Sequence, residues 1–251
     1  MKRRAVCLKL SLILAVSSVV LMSCATAGTG DDNDATSPEV GIEWVTDYSW
    51  PHSDLPNSDD SAKAFYNGLG SAGWTRKFDK GNTNTKEEHF QHDGQDSTYI
   101  DGVDIAWYQG HAQNNRLELS TYTKWVSFFN EIEWGDHDLE WIALHGCHST
   151  EKPDRFKGSH YGLNGVHLIC GFTTSSLNCV DGGNFADNLL DGETVKDAWY
   201  HAIDETHGSD YTVRIIGENS ACGNDHIWGE GSVIADPTVN SGYTTWTYSC
   251  S

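Results

Sequence analysis

Three apolar runs of strand length constrain this 251-residue chain more than any other feature. They are Gly102-Val103-Asp104-Ile105-Ala106-Trp107-Tyr108, Leu139-Glu140-Trp141-Ile142-Ala143-Leu144 and Gly165-Val166-His167-Leu168-Ile169-Cys170-Gly171-Phe172. Each is short and mostly apolar, which suits a strand buried on both faces better than a strand with one wet face. Helical patterns surround them. Behind Ser58-Asp59-Asp60, the residues Ala62, Phe65, Tyr66 and Leu69 fall at i, i+3, i+4 and i+7, and Gly70 and Gly73 form a stop. Phe185 with Leu189, then Val195, Ala198, Trp199, Ala202 and Ile203, repeat the amphipathic spacing. Strands alternating with helices predict an α/β fold with a mostly parallel central sheet covered on both faces. The remaining expectations are strands at 42–45 and 74–78, a short helix at 85–90, an irregular hairpin within 112–135, and Tyr211 to Ile216 as the last main strand.

The first residues belong to export rather than to the fold. Lys2, Arg3, Arg4 and Lys9 precede an uncharged, mostly apolar run from Leu10 to Met22, 13 residues long, which is a secretory signal too short for a comfortable membrane span. The run ends Leu21-Met22-Ser23-Cys24, which resembles a bacterial lipobox, so Cys24 is the candidate lipidation site; cleavage after Ala25-Thr26-Ala27 is the competing reading. The expected organisation is a signal peptide of lipoprotein type at 1–23, a flexible polar tether at 24–40, and one folded domain at 41–251. The product is exported, held at a cell surface or in a periplasm by its lipid, or otherwise secreted. Any membrane contact is through that N-terminal anchor alone.

Charge removes one class of partner. With 16 Lys and Arg against 36 Asp and Glu, the net charge is −20, and no basic cluster follows the leader, so nucleic acid is not an expected partner.

In a parallel sheet, ligands bind beyond the carboxyl ends of the strands. Two of the apolar runs deliver chemistry there: the first leads into Gln109-Gly110-His111, the second into His145-Gly146-Cys147-His148. A thiol becomes a nucleophile when it loses its proton, and a nearby imidazole can take that proton and later give it to a leaving amine. His111 and Cys147 lie 36 positions apart, a separation that one strand, a connection and an adjacent strand can close. Backbone N–H groups at Cys147 and Ala112 are placed to hold an oxyanion, and Gly146 lets a substrate backbone approach. His148 is a polar neighbour able to orient substrate. His145 has the simpler reading of a satisfied core histidine.

A hydrophobic strand running into Gly-His, followed by another running into a small residue and Cys, resembles the caspase, gingipain and legumain group of cysteine peptidases, clan CD. The segments 165–173, 183–187 and 194–199 are similar to the third strand and following helices of gingipain-like members. The body also resembles a family of secreted bacterial and archaeal proteins of unknown function with this core. The resemblance spans roughly residues 41–236 and implies a caspase-like three-layer sandwich, a peptide or protein substrate, His111 as catalytic imidazole and Cys147 as nucleophile, with no metal or organic cofactor. Ala112 departs from the Gly that usually follows the His, and its Cβ narrows the oxyanion approach.

Other readings use the same residues. The fold can serve a non-catalytic surface binding protein. Alternatively His145, Cys147 and His148, joined by His111 and by Asp136 or His137, offer zinc ligands, although no established metal spacing supports that. If Cys24 carries lipid and Cys147 is free, then Cys170, Cys179, Cys222 and Cys250 can form two disulfides by any of three pairings, while a buried free Cys170 would also be ordinary. Asp225-His226 with Trp228 and Gly229 either lines a cleft or forms a turn. Trp50, Trp107, Trp125, Trp134 and Trp141 suit carbohydrate stacking or, more simply, the core.

Overall fold

The computed structural model describes residues 37–113, 116–157, 162–239 and 242–251. The signal peptide, Cys24 and nearly all of the tether lie outside the described residues. The first strand, β1 (Glu39–Trp44), starts two residues before the expected domain onset at 41. It leads to α1 (Ser58–Ser71), β2 (Thr75–Gly81) and β3 (Ile105–Gln109). Three short strands follow: β4 (Ala112–Gln113), β5 (Arg116–Glu118) and β6 (Trp125–Ser127). The chain then forms β7 (Trp141–His145), β8 (Leu168–Phe172), α2 (Gly182–Leu190), α3 (Val195–Asp204), β9 (Thr212–Gly217) and β10 (Thr244–Ser249).

The central sheet has seven strands in the order β10-β9-β8-β7-β3-β1-β2. The five strands from β8 to β2 run parallel; β8, β7 and β3 are the continuous apolar runs, buried on both faces as expected, whereas β2 at the edge is mostly exposed. Beyond β8 the sheet turns antiparallel: β9 pairs antiparallel with β8, and β10 antiparallel with β9. The sheet thus continues past the strand expected to be its last, Tyr211 to Ile216, by one more, β10. That strand, Thr-Thr-Trp-Thr-Tyr-Ser, sits at the sheet edge with alternate residues half-buried and exposed, so it carries period-two alternation without a hydrophobic run.

The sheet is covered on both faces, but the helices are all on one. Ile105 and Trp107 of β3, with Trp141 and Ala143 of β7, point into the core that includes Phe65 and Leu69 of α1, Phe185 of α2 and Trp199 of α3. Their neighbours Ala106, Tyr108, Ile142 and Leu144 point the other way, into a core closed by Leu117, Val126, Phe128, Trp134 and Phe156. That second layer comprises short 3-10 turns, irregular chain and a small antiparallel sheet of order β4-β5-β6. The expected short helix at 85–90 is reduced there to a single 3-10 turn, Glu87–His89, and the expected hairpin is this three-stranded sheet.

Local chemistry explains the helix starts. In α3, the Thr194 hydroxyl accepts from the Asp197 N–H at 3.2 Å and donates to the Asp197 carboxylate at 2.7 Å, which satisfies an otherwise orphaned donor of the first turn. In α1, Asp59 and Asp60 occupy the first turn, where the helix dipole favours negative charge. The three α-helices among the described residues meet at Trp107 of β3, whose ring centroid lies 5.2 Å from that of Phe65, 6.0 Å from Phe185 and 5.8 Å from Trp199. Truncating a buried ring of this kind costs about 3–5 kcal/mol, so β3 is anchored where it enters the site.

Trp107, Trp134 and Trp141 are therefore core residues, whereas Trp50 and Trp125 are exposed. Asp225 is also structural: it is buried and accepts from His167 Nδ1 at 2.5 Å, Trp141 Nε1 at 3.2 Å and Ile234 N–H at 2.8 Å. The expected disulfides do not form. Cys147, Cys170, Cys179, Cys222 and Cys250 are all free thiols; Cys170 sits mid-strand in β8 among apolar side chains, where a thiol behaves as a small hydrophobe. Among the described residues no helix is long and apolar enough to cross a membrane.

Candidate functional site

β3 and β7 are adjacent and parallel, with Gln109 opposite His145 on the last shared rung. The Gly110 N–H donates to the His145 carbonyl at 3.2 Å, extending the pairing one step past the strands. His111 and Cys147 then leave the sheet from the same level and line one cavity of about 100 Å³, together with Leu55, Ser58, Gln109, Gly110, His145, Ser176, Leu177 and Asn178. A larger cleft of about 330 Å³ lies between residues 83–91 and 119–124. Its lining, which includes Lys86, Glu87, Glu88, Ser120 and Lys124, holds neither a cysteine nor a histidine, so a thiol and an imidazole meet in the smaller cavity and not in this cleft.

Backbone geometry explains the glycines on both arms. A Cβ on Gly110 would stand 2.5 Å from the hydroxyl oxygens of both Tyr48 and Tyr108. A Cβ on Gly146 would stand 2.7 Å from the Cβ of Ala112 and from the Gly110 carbonyl oxygen. The two turns are packed against each other too closely for any side chain at 110 or 146.

His111 is held at both ends. Its backbone N–H donates to the Tyr48 hydroxyl at 2.7 Å, and its carbonyl accepts from the Tyr108 hydroxyl at 3.1 Å and the Glu118 N–H at 2.9 Å. Its ring Nε2 lies 2.9 Å from the Ser53 carbonyl oxygen. A carbonyl only accepts, so Nε2 carries the proton and Nδ1 of the neutral ring is the bare nitrogen. Burial holds the imidazole below its ordinary value, with the Ser53 carbonyl opposing that shift and His52, whose ring centroid lies 5.3 Å away, adding to it. The ring is thus neutral at neutral pH and able to accept a proton.

Cys147 is half-buried and unbridged. Its Sγ receives the Ser176 N–H at 3.3 Å and lies 3.7 Å from the Ser176 hydroxyl. The segment after β8 therefore forms the wall behind the sulfur.

Under the cavity lies a buried polar group. His145 Nε2 is 2.6 Å from Asp181 Oδ2, the Thr206 hydroxyl donates to the other oxygen of Asp181, and His207 Nδ1 lies 2.9 Å from the Thr206 hydroxyl. His207 Nε2 accepts the Leu177 N–H at 3.1 Å, and burial lowers the His207 titration. His145 is thus a satisfied core histidine, stacked on Trp107, that also forms part of the cavity floor.

Several candidates from the sequence fall elsewhere. The zinc set His145, Cys147 and His148 does not converge: His148 takes a left-handed φ of 56° and directs Nδ1 to the Thr173 carbonyl at 3.0 Å, and His145 is committed to Asp181. His148 is not among the residues lining the cavity. The Gly146 N–H donates to the Leu144 carbonyl at 3.0 Å, so this glycine contributes close approach rather than an oxyanion donor. Ala112 is buried in β4, beside Gly146.

Tyr48, Ser53, Ser176, Asp181 and His207 were not singled out by sequence reasoning. The signal for the first two was available, since the loop after β1 must also leave the sheet at the carboxyl ends. Asp181 and His207 carry no local pattern.

No curated protein matches this sequence. Among solved structures, one described as the structure of pro-sf-caspase-1 is similar with a TM-score of 0.43 and 10% identity, over 72% of this chain and 87% of that chain. The family model described as Domain of unknown function (DUF6345) matches residues 42–250, and the chain belongs to that family.

Proposed function

We propose that this chain is an exported cysteine hydrolase of the peptidase type, with Cys147 as nucleophile and His111 as its proton carrier. The observation that carries this reading is the shared cavity, where an unbridged thiol and an imidazole with a bare Nδ1 arrive on neighbouring strand ends. Its sequence resemblance to clan CD peptidases agrees.

In the proposed reaction, Sγ of Cys147 attacks the carbonyl carbon of a peptide bond while the thiol proton passes to His111 Nδ1. The N–H groups of Cys147 and Ala112 are the backbone donors assigned to the developing oxyanion. Collapse of the tetrahedral species breaks the C–N bond, and the amine departs with the proton from His111. Water then attacks the thioester, His111 takes its proton, and the acid product leaves as the thiol is restored. Side chains and backbone of this chain carry the whole proposed cycle, with Gly110 and Gly146 keeping the approach open.

The N-terminal sequence supports export and lipid attachment at Cys24, so the domain would act at a cell surface or in a periplasm on peptides or proteins reaching it. Incorporation of an alkyne fatty acid that is lost in Cys24→Ala would establish the anchor.

The deciding experiment treats wild type, Cys147→Ala and His111→Ala with a panel of peptide acyloxymethyl ketones. Labelling of wild type alone supports the hydrolase. Labelling that is equal in wild type and Cys147→Ala, or absent across the panel, would leave a non-catalytic surface binding protein in its place.

A further inference from the structure

A second group of ionisable side chains lies at the opposite end of the sheet, where β3 and β7 begin. Asp101 precedes β3, and Asp136 and His137 precede β7. One ligand atom from each of the three lies within 4.8 Å of the others. Asp101 is fully buried; its Oδ1 accepts the Gly135 N–H at 2.5 Å, while its Oδ2 has no hydrogen-bond partner. Asp136 Oδ1 is likewise buried without a partner. Two carboxylates with orphaned buried oxygens, turned to one point beside an imidazole, cost free energy unless a shared proton or a cation lies between them, and the imidazole beside them adds the donor a metal ion would use.

We infer that Asp101, Asp136 and His137 form a site for one divalent cation of the zinc type, which ties the loop entering β3 to the loop entering β7. The mixed donor set carries the choice of metal. Imidazole with carboxylates suits zinc and its first-row neighbours, whereas calcium takes six to eight oxygens. Tetrahedral ligands about 2.1 Å from zinc lie about 3.4 Å apart, so the three groups need only small side-chain movements to close on the ion. The fourth position falls to water or to Asp96, a buried neighbour whose charge acts on Asp101.

The geometry gives the ion a structural task. It sits at the amino ends of the same two strands whose carboxyl ends carry His111 and Cys147, and it requires neither of them. The test strips the full exported chain with a chelator, then titrates Zn²⁺ by calorimetry and follows the melting temperature. Wild type is expected to take up one zinc ion that Asp136→Asn and His137→Gln each fail to bind, with a concentration-dependent rise in melting temperature present only in wild type. Asp136→Asn should melt higher than wild type when both are metal-free, because it removes one of two facing carboxylates, so its lost uptake does not reflect misfolding. Cys147→Ala should bind zinc as wild type does. No uptake by wild type, uptake unchanged in both variants, or preference for Ca²⁺ or Mg²⁺ at these residues would overturn the assignment.

Discussion

Gln109 and His145 face each other on the last rung shared by β3 and β7, and each is followed two residues later by a reactive group, His111 on one side and Cys147 on the other. Parallel pairing makes this alignment possible. Both strands point their carboxyl ends the same way, so equal offsets from one rung bring two side chains to one level. The alignment holds only while the turns beyond the rung stay in contact.

That contact gives the first prediction. Gly146→Ala places a methyl 2.7 Å from the Ala112 Cβ and from the Gly110 carbonyl oxygen, so the turns must separate. Overpacking of this kind costs about 1–3 kcal/mol, and the urea midpoint should fall accordingly. Adding Ala112→Gly removes one of the two clashes and should recover part of the loss. A double variant no better than Gly146→Ala would show that the two turns do not press on each other.

The titration of His111 gives the second. Burial lowers its pKa from 6.5, so the neutral, proton-accepting ring persists below the pH at which a free histidine becomes charged. The rate of Cys147 labelling should therefore fall on acidification with a midpoint below 6.5, and remain level from there to neutrality. His111→Gln should lower the rate and abolish that limb. A midpoint above 6.5 would mean that the ring is stabilised in its charged form, contrary to its burial.

How much of this arrangement the sequence made legible follows from the range of the forces involved. The buried strands β3, β7 and β8 and the helices α1 and α3 were readable because burial imposes a local period that a few residues suffice to express. That His111 and Cys147 line one cavity was readable from the two strand ends, which in a parallel sheet leave on the same side, and from the resemblance carried by those two motifs. By contrast, β10 is an edge strand whose Trp246 and Tyr248 are only half-buried, and Asp181 reaches His145 across 36 residues of chain. Neither leaves a local trace. The single-sided placement of the helices was missed for a related reason: the opposite face is closed by Phe128, Trp134 and Phe156 in segments without periodicity, which look like loops until they are seen to be buried.

Asp181 provides the third prediction. It accepts from His145 and Thr206 with its carboxylate fully buried, so Asp181→Ala strands both donors as well as His207 alongside. Removing one member of a buried charged network costs about 3–5 kcal/mol. Asp181→Asn keeps an acceptor for His145 and should cost less. The denaturation midpoints of the two variants should fall in that order below wild type, and Cys147 labelling should decline with Asp181→Ala because His145 forms the cavity floor. An Asp181→Ala protein as stable as wild type would remove the network from the account of the site.

The cysteines provide the fourth. The exposure of the five described thiols differs sharply: Cys147 and Cys179 are half-buried, while Cys170, Cys222 and Cys250 are at most 4% exposed. Burial also pushes the Cys222 thiol up to about 11 and raises Cys170 further, which keeps both in the unreactive protonated form. Cys179 is held up by burial and by the neighbouring Asp181, so it should react more slowly than its exposure suggests. Iodoacetamide applied to the native protein should thus modify Cys147 first and Cys179 slowly, with the other three alkylated only in denaturant. Peptide mapping without reductant should find no cystine among them, even in protein recovered from an oxidising compartment, because Cys170, in the middle of β8, is surrounded by apolar side chains that exclude the reagents of exchange. A cross-linked peptide joining any two of Cys170, Cys179, Cys222 and Cys250 would show instead that export staples this domain.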